Sequence, residues 1–149
     1  MGGEIRFSAG QIDQIGAEAE AAYPEECCGL LVGVLNGHVY EVRRVVASPN
    51  VAEARAHDRF EVDPQVRIDL MRDLRDTGES IIGHYHSHPD HGAVPSETDL
   101  AQAHEPELVW VITSVLAGQA RESAGHVLDP ETGRFRQIEL RVDGAINGF

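Results

Sequence analysis

The stretch Gly83-His84-Tyr85-His86-Ser87-His88-Pro89, with seven residues between His88 and the run Ser96-Glu97-Thr98-Asp99, most constrains how this chain can fold. Residues two apart on a strand face the same side, so His86 and His88 can share one metal ion. A third ligand comes from Asp99 if the loop from Pro89 to Pro95 turns the chain back and a helix starts at Ser96. Two imidazoles and one carboxylate then leave a fourth tetrahedral position for water, the layout of a catalytic zinc site rather than a closed structural one. Ser96-x-x-Asp99 is also a plain helix start. One local motif can therefore both cap a helix and aim a carboxylate, while Glu97, about 200° round the helix from Asp99, points elsewhere.

His84 complicates the ligand choice, because it shares the strand face with His86 and His88. About 13 Å separates the Cα atoms of positions 84 and 88 on a regular strand, so one ion takes either 84 with 86 or 86 with 88. A solvated histidine stripe is the bland alternative. His38, His57, His91 and His104 have no such neighbours and read as solvated.

His-Ser-His, seven residues, Ser, two residues, Asp resembles the signature of the JAMM, or MPN-plus, metalloprotease domains, and Gly83-x-Tyr85 adds to the match. Pro24-Glu25-Glu26-Cys27-Cys28-Gly29-Leu30-Leu31 resembles the upstream stretch of bacterial members, where the pattern Glu-x-Cys-Gly selects Glu26. Arg59-Phe60-Glu61-Val62-Asp63-Pro64 resembles what those members carry before their long helix. The resemblance implies that His86, His88 and Asp99 hold one Zn2+ per chain. It implies Glu26 as the base that moves the proton and Ser96 as an oxyanion stabiliser. It further implies a substrate, a ubiquitin-like or sulfur-carrier protein cleaved after its Gly-Gly tail. The chain lacks length for the insertions with which eukaryotic members grip ubiquitin chains, which favours the sulfur carrier.

Taken alone, Glu26 follows a proline at a strand start, where a carboxylate is usually solvated. Yet it precedes an apolar strand, where an inward carboxylate costs several kcal/mol unless it has a partner. Two other readings compete: a catalytically inactive MPN interaction scaffold, which would lack one or more of these residues, and a zinc nucleoside deaminase, which needs a Pro-Cys-x-x-Cys pair absent here.

The implied fold class is α/β: a single mixed, mostly antiparallel β-sheet flanked by helices, the MPN/JAMM fold, cytidine-deaminase-like. At 149 residues and 42% apolar content, residues 1–149 are expected to form one domain with a core of its own. Ser8 and Gln11 form a capping box for a helix over 9–22, ended by Pro24. Glu26 to Val34 reads as a buried strand, Asn36-Gly37 as a two-residue hairpin turn, and His38 to Val46 as the returning strand. Ser48 to Asp58 reads as a mobile flap or an ordinary connector. Phe60 and Val62 suggest a short strand. Asp63-Pro64 opens a helix with Val66, Leu70 and Leu74 inward, running to near Gly78. Ser80 to His88 is the metal-bearing strand, and Ser96 starts a helix reaching about His104. Strands over Leu108 to Ser114, Arg121 to Leu128 and Arg134 to Val142 complete the sheet. The tail from Asp143 to Phe149 is expected to be loosely held.

A net charge of −13 with no basic run longer than Arg43-Arg44 argues against a nucleic-acid partner. No apolar run approaches the length of a membrane span and no secretory leader is seen, which predicts a cytoplasmic protein without membrane attachment. Cys27 and Cys28 are adjacent, which excludes a disulfide framework and a CxxC site. Cys28 shares the strand face of Glu26, so it is either a thiol near the site or a small buried hydrophobe.

Overall fold

The computed structural model describes residues 2–52 and 59–143. Its elements are β1 (Glu4–Ser8), α1 (Ala9–Ala22), β2 (Cys28–Asn36), β3 (Val39–Ser48), α2 (Pro64–Asp73), β4 (Ser80–Pro89), α3 (Glu97–Ala101), β5 (Val109–Leu116), β6 (Gln119–Asp129) and β7 (Arg134–Asp143). The expected mixed sheet is present, but it is not an open layer flanked by helices. It closes into a seven-stranded barrel in the order β1-β3-β2-β4-β5-β6-β7. The strand that corrects the expectation is β1, which pairs parallel with both β3 and β7. Closure leaves no free edge along that seam.

Alternation along the strands divides their residues between two faces. Ile5, Phe7, Leu31, Tyr85, Val111, Val127 and Ile138 form the main core, into which α1 inserts Ile15 and Ala19. On the opposite face of β2, Leu30 and Val32 pack against Leu70 of α2 and Leu74 at its C-cap. Helix α1 starts at the expected capping box, with the Gln11 N–H donating to Ser8 Oγ and the Ser8 N–H to Gln11 Oε1. Asp63 caps α2, with Pro64 at its first position.

Besides shifts of one or two residues at strand ends, four local features differ from expectation. The hairpin turn is Gly37-His38, because Asn36 already pairs with Val39, and Gly37 supplies the positive φ of 65°. The strand expected at Phe60 and Val62 is a single bridge between Asn50 and Val62. Helix α2 stops at Asp73, where i→i−3 bonds tighten the chain and the Thr77 hydroxyl takes the Leu74 carbonyl. Helix α3 stops at Ala101 for the same reason, with the Gln102 N–H on the Asp99 carbonyl and that of Ala103 on Leu100. Most of the proposed flap, together with His57 and the tail beyond Asp143, lies outside the described residues. Among those described, no helix is long and apolar enough to cross a membrane.

Candidate metal centre and active site

Strand β4 lies between β2 and β5 and turns Tyr85 and Ser87 one way and His84, His86 and His88 the other. Gly29, opposite Tyr85, is required here: a Cβ at that position would overlap the Tyr85 ring. The Tyr85 hydroxyl donates to Glu18 of α1 at 2.5 Å. That bond anchors the strand from within.

After Pro89 the chain reverses at Asp90, whose φ of 59° is left-handed. The Asp90 carboxylate accepts from the Tyr23 hydroxyl at 2.7 Å and from the Ala117 N–H at 2.9 Å. Two imidazoles hold the next stretch by consecutive carbonyls. His88 Nδ1 lies 3.0 Å from the Gly92 oxygen, and His126 Nε2 lies 2.9 Å from that of Ala93. The loop thus delivers Ser96 as the cap of α3. Its N–H donates to Asp99 Oδ2 at 2.9 Å, and its hydroxyl accepts the Asp99 N–H at 3.0 Å. This reciprocal box uses Asp where Glu or Gln is usual. The short side chain keeps the carboxylate over β4.

The result is a buried cluster. Nε2 of His86 and Nε2 of His88 are 3.1 Å apart, and Asp99 Oδ2 lies 3.3 Å from the first and 3.0 Å from the second. His88 must carry its proton on Nδ1 to donate to the Gly92 carbonyl, so its Nε2 lone pair points at the cluster. Ligands at about 2.0–2.1 Å from a tetrahedral ion sit about 3.3 Å from one another, so the donor set and its spacing fit zinc. The Gly92 carbonyl is the outer partner that ligand imidazoles commonly have.

Burial works against charge in this cluster. It pushes the Asp99 carboxyl up, but the bonds to His86 and His88 outweigh it and hold the group well below the usual carboxylate range. Burial lowers the His86 pKa despite Asp99. In His88 burial is outweighed by Asp99, and the pKa rises. His84 is pushed down to about 3, first by burial and then by His86. Its ring stands edge-on to Trp110 at 4.4 Å, away from the three converging atoms. Its Nδ1 has no hydrogen-bond partner among the described residues.

Glu26 is 4% exposed and immediately precedes β2. The ladder to β4 extends to it: the Ser87 N–H donates to the Cys27 carbonyl at 3.2 Å, and the Cys27 N–H to Ser87 Oγ at 2.8 Å. One step further places Glu26 across from His88, whose charged form it favours. Glu25 is exposed. Ser96 is exposed, and having accepted the Asp99 N–H it retains a hydroxyl proton to donate. Cys28 is a buried thiol pushed up to about 12 by burial, its Sγ near the carbonyls of Ser48, Pro49 and Glu61. It is a packing residue. His38, His91 and His104 are exposed, as expected.

Three residues escaped the sequence reading. Phe60 stacks on the His86 ring at 4.1 Å and 17°. His126 is buried and holds the loop before Ser96. Asn50 donates to the Glu26 carbonyl at 3.0 Å. An isolated His between apolar residues on an expected strand was the one available signal for His126. Two hollows of about 340 Å³ each are lined by neighbours of these residues, one by Ser96, His126 and Phe135 and the other by Phe60, His84 and Trp110.

A family model described as prokaryotic homologs of the JAB domain matches residues 8–128. A desampylase of Haloferax volcanii is 34% identical over 95 residues, which are 61% of this chain and 63% of that protein. The chain thus spans less than two thirds of that relative. A CysO-cysteine peptidase of Mycobacterium tuberculosis is 28% identical over 130 residues, 87% of this chain and 77% of that protein. Among solved structures, a Desulfitobacterium hafniense protein superposes with a TM-score of 0.80 at 27% identity, covering 93% of this chain and 92% of its own. A Salinibacter ruber protein does so with a TM-score of 0.69 at 30% identity, covering 95% and 93%.

Proposed function

The chain belongs to the family of prokaryotic homologs of the JAB domain, and from that premise we propose that residues 1–149 form one zinc-dependent hydrolase domain for peptide or isopeptide bonds. Its substrate is a ubiquitin-like or sulfur-carrier protein, cleaved after a C-terminal Gly-Gly. The observation that carries this reading is the convergence of His86 Nε2, His88 Nε2 and Asp99 Oδ2 within 3.0–3.3 Å, beside a buried Glu26. The names of two relatives, a desampylase and a CysO-cysteine peptidase, supply the substrate class.

His86, His88 and Asp99 are the proposed ligands, and the ion they would hold supplies Lewis acidity toward water and carbonyl oxygen at neutral pH. Glu26 takes a proton from the attacking water and hands it to the leaving nitrogen, so that the amine departs neutral. The Ser96 hydroxyl donates to the oxyanion that develops on the scissile carbonyl. Gly-Gly is suited to such a site, since a tail without side chains can lie close to a groove where a Cβ would clash.

Zinc analysis of the purified protein, followed by incubation with a ubiquitin-like fusion whose tail is Gly-Gly or Ala-Ala, tests the reading. About one zinc per chain and cleavage of the Gly-Gly fusion alone are expected. Equal rates on both tails remove the tail specificity. No cleavage by zinc-loaded protein favours the inactive MPN scaffold.

A further inference from the structure

We propose that Asn50 is a positioning residue for the hydrolysis just described, fixing Glu26 from behind and, through Phe60, the ring stacked on His86. The inference rests on that functional reading for its chemistry, but its geometry stands independently.

The Asn50 side chain makes four hydrogen bonds with described residues. Nδ2 donates to the carbonyls of Glu26 at 3.0 Å and Arg59 at 3.1 Å, and Oδ1 accepts the N–H groups of Ala52 at 3.1 Å and Glu61 at 3.0 Å. The orientation of the amide is determined by its partners: flipped, its oxygen would face two carbonyls and its nitrogen two N–H donors. No shorter or singly functional side chain meets two acceptors and two donors at once.

Glu26 is consequently held on both sides. Its carbonyl is gripped by Asn50, and the peptide that follows is held by Ser87, the residue between His86 and His88. The other three bonds tie Asn50 to Ala52 and to Arg59 and Glu61, the two neighbours of the Phe60 that stacks on His86. The Asn50–Val62 bridge, the Val51 N–H on the Glu61 carbonyl at 2.9 Å and the Asp63 N–H on Ser48 Oγ at 2.9 Å hold the same two segments together. One amide therefore links the backbone of the proton carrier to the segment that bears the aromatic ring stacked on His86. Misplacing such a group by about 1 Å can cost about 100-fold in rate.

The test separates the donors from the acceptors. Asn50→Asp keeps the oxygen that accepts from Ala52 and Glu61 but cannot donate to Glu26, whereas Asn50→Ala loses both. With the Gly-Gly-tailed fusion as probe, both variants should lose about 10- to 100-fold in kcat with KM and zinc content within twofold of wild type. Hydrogen-exchange protection of the Ala52 and Glu61 amides should persist in Asn50→Asp and fall in Asn50→Ala. In the unsubstituted protein a through-bond NMR coupling between Asn50 Nδ2 and the Glu26 carbonyl carbon is expected. Absence of that coupling, full kcat in Asn50→Asp, or a loss confined to KM overturns the proposal. If the wild type leaves the fusion intact while the coupling is present, the hydrolase reading fails and takes the catalytic role of Asn50 with it, leaving the contact itself established.

Discussion

Toward the barrel interior, β4 presents Tyr85 and Ser87, and the polar atoms of both are met by the chain itself, through Glu18 and through the Cys27 N–H. Toward the other face it presents His86 and His88, equally buried, whose Nε2 atoms and the Asp99 oxygen crowd together as three electron-rich groups. His86 Nδ1 has no hydrogen-bond partner among the described residues. The difference teaches what each face is for. Substitution of Tyr85 or of the Gly29 beneath it should cost folding free energy and spare metal and turnover, and substitution of the outer face should do the reverse.

The strongest way to break this contrast is to remove the proposed ligands. A His86→Ala/His88→Ala double variant should fall from about one zinc per chain to none, with turnover lost by more than about 10⁴-fold, while His91→Ala should keep both; elemental analysis and the fusion assay read the two quantities. Wild-type metal content in the double variant would sink the assignment. Because ligand imidazoles must be neutral, zinc should leave the wild type as pH falls well below about 6.5.

Next in size is the proposed base. Glu26→Gln keeps shape and three protein ligands, so zinc content and melting temperature should stay near wild type while turnover falls by about 10²–10⁴, or about 3–5 kcal/mol of barrier. Glu25→Gln, on an exposed side chain, should be nearly silent. The opposite pattern would mean that the register at the start of β2 is wrong by one residue.

The inner face supplies the converse. Gly29→Ala forces a methyl into the Tyr85 ring and should cost about 1–3 kcal/mol of stability. Tyr85→Phe, which loses only the bond to Glu18, should cost about 1 kcal/mol. Thermal denaturation measures both, and zinc per folded chain should not change. Loss of metal in Tyr85→Phe would show that the faces are coupled.

A further effect concerns protons in metal-free protein. His84 titrates at about 3 in the folded chain and near 6.5 when unfolded, so the unfolded state binds more protons below 6.5. Its contribution is whole above pH 6.5 and is lost as pH falls from there toward 3. Asp99, held low, contributes above about 3.9 and loses that contribution only at still lower pH. The melting temperature should therefore decline between pH 7 and pH 5, less steeply in His84→Gln. An unchanged slope would remove His84 as the cause.

The site was legible where backbone periodicity alone sets the geometry. His86 and His88 share a strand face, and Ser96 and Asp99 share a first helical turn, so local spacing brings three candidate ligand atoms together once the loop reverses. Glu26 needed the resemblance, since its burial depends on a ladder to β4 that no local pattern announces. Asn50 and His126 act on backbone 24 and 33 residues away in sequence. Such contacts have no period. The barrel escaped for a similar reason: β1 is five residues long, and its Ser8 also reads as the helix cap that it is.

The closing seam has a temporal consequence. Glu4 lies beside Glu139 and Phe7 beside Val142, so the first strand meets the last across nearly the whole described chain. A contact of such sequence separation is slow to form. On the ribosome, β1 can join β3 early, but the barrel stays open until Arg134–Asp143 has emerged. Strand β4 and its partners β2 and β5 all precede β7 in the chain, so the candidate site can assemble before the barrel that supports it has closed.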